Sequence, residues 1–112
     1  MKVLKNVPIL SYKGEPLKVK RINGNDEIID EGEVRLSDAL WAILNNAPIN
    51  TQNDSIQGIR LAKALDKASS NGTIELEDGV HDWITPIAET LTVTLFRLNG
   101  SIIYDLIKDG VR

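Results

Sequence analysis

Glu75, Glu77, Asp78 and Asp82 crowd around His81 in the stretch ELEDGVHDW, and His81 is the only histidine of the chain. Carboxylates gathered about an imidazole could bind a divalent metal or share acid–base work. Each kind of chemistry makes a demand. A metal needs three or four ligands converging from one side, and helical metal motifs bring two histidines or draw on several helices. General acid–base catalysis needs a carboxyl group whose pKa is shifted by burial or by a neighbour. One histidine on one helix meets neither demand. The simpler expectation is a polar first turn, in which acidic side chains complement the partial positive charge of a helix N-terminus. No catalytic, cofactor-binding or metal-ligating residue is therefore expected. The remaining alternative is a metal- or small-ligand-binding protein that uses the acidic cluster of residues 75–82.

The helix that carries this stretch is read from Val80, Trp83, Ile84, Ile87, Ala88 and Leu91, which follow the i, i+3, i+4, i+7 pattern. With that stripe inward, Trp83 should be mostly buried. Glu77, Asp78, His81 and Asp82 should face solvent, and His81 should be dispensable for stability. Pro86 falls within the run and should kink or restart the helix. Two earlier helices are expected. One is capped by Ser37 and has Leu36, Leu40, Ile43, Leu44 and Ala47 on one stripe; Pro48 ends it. The next is capped by Asp54 or Ser55, with Gln57 closing a capping box on Asp54. Its inward stripe is Gly58, Leu61, Ala62, Leu65 and Ala68, and Asn71-Gly72 ends it. A last short helix is capped by Asn99, has Ile102, Ile103, Leu106 and Ile107 as its apolar positions, and stops at Gly110.

Ahead of Ser37 the period is two. NVPILSYKGEPLKVK places apolar runs on either side of a turn at Gly14 and Pro16, with Leu17, Val19 and Arg21 on one face and Lys18 and Lys20 on the other. Asn23-Gly24 is a strong hairpin signal. The fold expected is α+β in a single domain, residues 1–112. An N-terminal antiparallel meander (1–35) packs on about four helices (36–112).

Composition narrows the function. With 112 residues, 42% of them hydrophobic and 26% charged, the chain suits one small globular domain. It has no cysteine, which removes disulfides, thiolate metal sites and cysteine nucleophiles. No apolar run is long enough to span a bilayer, and MKVLKNVPIL lacks the apolar core of a signal peptide, so a cytoplasmic location is expected. The net charge of −3 and the few aromatic residues make nucleic acid an unexpected partner. There is no glycine-rich phosphate loop and no nucleophile elbow. Trp41 stands beside the stripe of the first helix. With Lys18 and Lys20 it is the candidate for contact with a protein partner.

The order of segments, KNVPILSYKGEPLKV, then LSDALWAIL, then RLAKAL, and finally YDLIKDG, resembles a loosely defined group of small tailed-phage and prophage proteins. Those have a short N-terminal hairpin, a helix opening on a Leu-Ser/Thr-x-x-Leu cap and a C-terminal helix ending in glycine. The resemblance implies expression in the cytoplasm of a bacterial host and supplies no catalytic residue. The function expected is that of a non-catalytic accessory protein. It would bind itself, as a homo-oligomer, and an unidentified host or phage protein. A morphogenesis or virion component is the alternative.

Overall fold

The computed structural model describes residues 1–22, 28–68 and 72–109. It is a mixed α+β fold, as expected, but its strands are arranged differently. Strand β1 (Lys2–Lys5) does not join a meander. It pairs antiparallel with β4 (Thr73–Leu76), a strand that lies within the part expected to be helical. The alternation in Thr-Ile-Glu-Leu is that of a half-buried strand: Ile74 and Leu76 are buried, Thr73 and Glu75 exposed. Strands β2 (Lys18–Ile22) and β3 (Ile28–Glu33) form a separate antiparallel ladder. The Asn23-Gly24 turn lies outside the described residues.

The two ladders are joined through residues 6–17 and 34–36. Ile9 N–H donates to the Val34 carbonyl at 2.8 Å, Val34 N–H to Leu17 at 2.8 Å, and Leu17 N–H back to Ile9 at 2.9 Å. This closed ring of three bonds satisfies the backbone around Ile9, which is fully buried. Between Ile9 and Leu17 the chain reverses, with Gly14 at φ +83°, a conformation that glycine adopts without steric cost.

Helices α1 (Leu36–Asn46), α2 (Gln52–Ala68), α3 (Asp78–Phe96) and α4 (Gly100–Asp109) complete the domain. A single 3-10 turn, Arg97–Asn99, folds α4 back on α3, so the helical layer is α1, α2 and one α3–α4 hairpin rather than four independent helices. The core lies where these meet β1 and β4. Leu4 and Ile74 from the strands pack with Leu40, Leu61, Ile84 and Ile103, all fully buried.

The caps differ from those read in the sequence. Arg35, not Ser37, occupies the N-cap of α1, and its N–H donates to Asp38 Oδ2 at 2.9 Å. Ser37 lies in the first turn and is buried, its N–H donating to Asn6 Oδ1 at 3.0 Å. Asn6 Nδ2 in turn donates to the carbonyl of Ala68, the last residue of α2, at 3.4 Å. One buried side chain thus satisfies a donor at the start of α1 and an acceptor at the end of α2, both groups that a helix leaves unpaired. Asn6→Ala is expected to cost about 1–2 kcal/mol, the usual worth of a cap, measured as a lower urea midpoint.

Thr51, rather than Asp54 or Ser55, precedes α2. Asp54 N–H donates to Thr51 Oγ1 and Thr51 N–H to Asp54 Oδ2, each at 3.1 Å, a reciprocal capping box in which Gln57 has no part. The stripe of α2 is as read, with Gly58, Leu61, Leu65 and Ala68 buried and Ala62 half-buried. At Gly58 an added methyl group would meet Leu44, Ile49 and Trp83 side-chain atoms at 3.5–3.8 Å, ordinary contact distances. Gly58→Ala should therefore stabilise the protein by up to about 1 kcal/mol, the difference in helix propensity, seen as a higher melting temperature.

Helix α3 continues past Pro86 without the restart that was one of the two outcomes expected there. Pro86 is exposed, on the side where water can serve the Asp82 carbonyl that its ring leaves without a donor. Asn99 leads into α4, but its side-chain oxygen accepts Tyr12 N–H at 3.1 Å and so anchors the 8–17 loop to the hairpin.

Candidate functional site

Construction of the acidic stretch begins with β4. Glu75 lies on its exposed face, Glu77 is the N-cap of α3, and Asp78 is the first helical residue. All three carboxylates face solvent, as does Asp82. Asp78 Oδ1 lies 3.0 Å from the α-amino group of Met1, and that bonded amine holds the carboxyl below the usual carboxylate range. Glu77 lies 3.8 Å from Arg60 of α2.

His81 departs from the expected orientation. It is 6% exposed and lies between α3 and α4, where Nε2 is 2.7 Å from the carbonyl oxygen of Ile107. A carbonyl can only accept, so Nε2 carries the hydrogen. Ile107 belongs to the last turn of α4, whose carbonyls have no helical donor, and the imidazole supplies one. The histidine is turned away from the carboxylates beside it in sequence. Among the described residues no group of three or more His, Asp or Glu side chains is placed to hold a metal ion.

Trp83, expected to be mostly buried, is half-buried, and its indole N–H donates to Asp54 Oδ1 at 3.0 Å. Asp54 also accepts from the N–H groups of Asn50 and Thr51. The Trp83 bond first, and then these backbone donors, lower the Asp54 pKa. With the folded pKa below the unfolded one, this stabilisation is fully present above the ordinary Asp range and is lost as pH falls through the folded value. In a Trp41→Phe background, Trp83 fluorescence should stay constant across the ordinary carboxylate range and change only at more acid pH. A transition at the ordinary Asp pKa would contradict the bond. Sequence reasoning took Asp54 as a helix cap and missed its link to Trp83, because their separation of 29 residues leaves no periodic trace.

Of the candidate partner contacts, Trp41 is half-buried against the core. Lys18 and Lys20 lie in β2, and their side chains lie outside the described residues. Two other surfaces stand out. Leu98 is 78% exposed and Tyr12 is 64% exposed, and the bond from Tyr12 N–H to Asn99 Oδ1 joins the two segments that carry them. Leu10 and Leu95 are exposed on the same two segments. The second surface is a groove of about 290 Å³ between α2 and β4. Arg60, Lys63 and Lys67 line it from α2 and Thr73 and Glu75 from β4, together with Met1, Glu77 and the apolar Ala64, Ala68, Leu76 and Val80.

No helix among the described residues is long and apolar enough to cross a membrane. No family model matches the chain, and neither curated proteins nor solved structures give a match.

Proposed function

We propose that this protein works by binding other proteins, as a non-catalytic accessory protein of the phage or prophage kind in the cytoplasm of a bacterial host, and that one of its partners is a second copy of itself. The observation that supports this reading most is that Leu10, Tyr12, Leu95 and Leu98 are exposed on two stretches of chain joined by the Tyr12–Asn99 bond. Large apolar side chains on neighbouring segments mark contact surfaces more often than isolated ones do. Some of the polar groups have structural partners. His81 completes a helix end, Asp54 a cap, and Asp78 an ion pair.

Sedimentation equilibrium provides the test. The wild-type chain is expected to self-associate, and Leu98→Asp, a change at an exposed position that spares the core, is expected to shift it toward monomer. A wild-type protein that is monomeric at every concentration removes the homo-oligomeric reading. Self-association that survives Leu98→Asp and Tyr12→Asp together moves the interface elsewhere.

A further inference from the structure

The bond from Asn6 N–H to the Gly72 carbonyl, 3.0 Å long, sets the phase of the β1–β4 ladder. Asn6 and Gly72 continue the register in which Lys2 faces Leu76 and Leu4 faces Ile74. Hydrogen-bonded pairs alternate along an antiparallel ladder, so Gly72, Ile74 and Leu76 turn their backbone groups toward β1. Thr73 and Glu75 then turn theirs to the opposite edge. No described strand pairs with that edge, and both residues line the groove.

Three basic residues line the groove from α2. Arg60, Lys63 and Lys67 follow one another at i, i+3 and i+7 on α2. Arg60 is paired with Glu77, and Lys63 and Lys67 are exposed. Four helical residues advance about 6 Å along the axis. Alternate residues of a strand are about 6.6–6.8 Å apart. Carboxylates at every second position of an added strand would therefore keep step with Lys63 and Lys67.

We infer that this groove is a peptide-binding site, taking an extended segment of a partner protein with the pattern acidic-x-acidic. The segment adds to the outer edge of β4 as a third strand. Its main chain bonds the N–H and C=O groups of Thr73 and Glu75, and its alternate carboxylates reach Lys63 and Lys67. Strand addition of this kind takes affinity from the main chain and selectivity from alternate side chains. The site is separate from the Tyr12–Leu98 surface and stands or falls without it.

The probe is a capped pentapeptide, Glu-Thr-Glu-Thr-Glu, titrated into the isotope-labelled full chain and followed by amide chemical shifts. Saturable shifts centred on Thr73 and Glu75 are expected. Lys63→Gln with Lys67→Gln, both at the surface, should weaken binding by about tenfold or more. Backbone N-methylation of the peptide on its β4-facing residues should abolish binding, and Leu98→Asp should leave it unchanged. Absence of binding overturns the assignment. So does equal binding of the N-methylated peptide, which would mean ion exchange without strand addition, or equal binding by the double variant. If Thr73 and Glu75 respond to protein concentration but not to peptide, the groove is occupied by a second copy and the partner-peptide assignment is wrong.

Discussion

Gly100→Ala should destabilise the protein by about 2–3 kcal/mol, although alanine is ordinarily the better helix former. A methyl group on Gly100 would stand 2.6 Å from the Thr92 carbonyl oxygen, 2.7 Å from its carbon and 2.8 Å from the Val93 nitrogen. All three are backbone atoms of α3, and none can swing aside as the tip of a side chain can. The α3–α4 hairpin must open to admit the methyl, and Ile103 and Ile107, fully buried on α4, would move with it. Against a total stability of roughly 5–15 kcal/mol for a domain of this kind, the loss is large. Urea unfolding of Gly100→Ala and Gly58→Ala makes a paired comparison: one chemical change in two helices, with opposite signs. A Gly100→Ala midpoint at or above wild type would mean that the two helices do not approach this closely.

His81→Ala is expected to cost about 2–4 kcal/mol, combining the cavity left by a buried ring with a carbonyl that loses its donor. Glutamine, which keeps an N–H donor on a flexible stem, should recover part of that loss. Trp83→Phe should cost less than His81→Ala, since the ring is half-buried and most of its packing survives. This order reverses the one read from the sequence, in which Trp83 was structural and His81 dispensable. Thermal unfolding of the three variants decides between the two. A His81→Ala protein as stable as wild type would place the imidazole back in solvent.

What was legible in the sequence, and what was not, follows from the range of the interactions concerned. The stripes of α1 and α2 were readable because Leu36, Leu40 and Ile43, and then Gly58, Leu61 and Leu65, repeat with the helical period and bury what they repeat. In α3 the apolar residues spread over more than one face. The stripe read was Val80, Trp83, Ile84, Ile87, Ala88 and Leu91, whereas the buried residues are Val80, His81, Ile84, Ala88 and Thr92. Two polar residues sit on that inner face because each has a backbone acceptor there: Ile107 for His81, and Ala88 for Thr92 at 2.6 Å. Hydropathy cannot register an acceptor 26 residues away. The period of two in Thr73–Leu76 was visible, but it spans four residues, and the acidic run after it favoured the reading of a helical first turn. As for the candidate site, the acidic run was read as the polar opening turn of a helix, where Glu77 and Asp78 do lie, while the orientation given to His81 was wrong. The groove could not be read from sequence at all, since it is defined by which edge of β4 remains open.

The pairing of β1 with β4 also sets an order of events during synthesis. Lys2–Lys5 is made about 70 residues before its partner Thr73–Leu76, a lead of roughly 4–14 s at ordinary translation rates. Throughout that interval Val3 and Leu4 do not have β4 to pair with. A ribosome stalled anywhere between Lys5 and Leu76 therefore holds a nascent chain in which β1 does not yet have its partner strand, a ready target for a holdase chaperone or a protease.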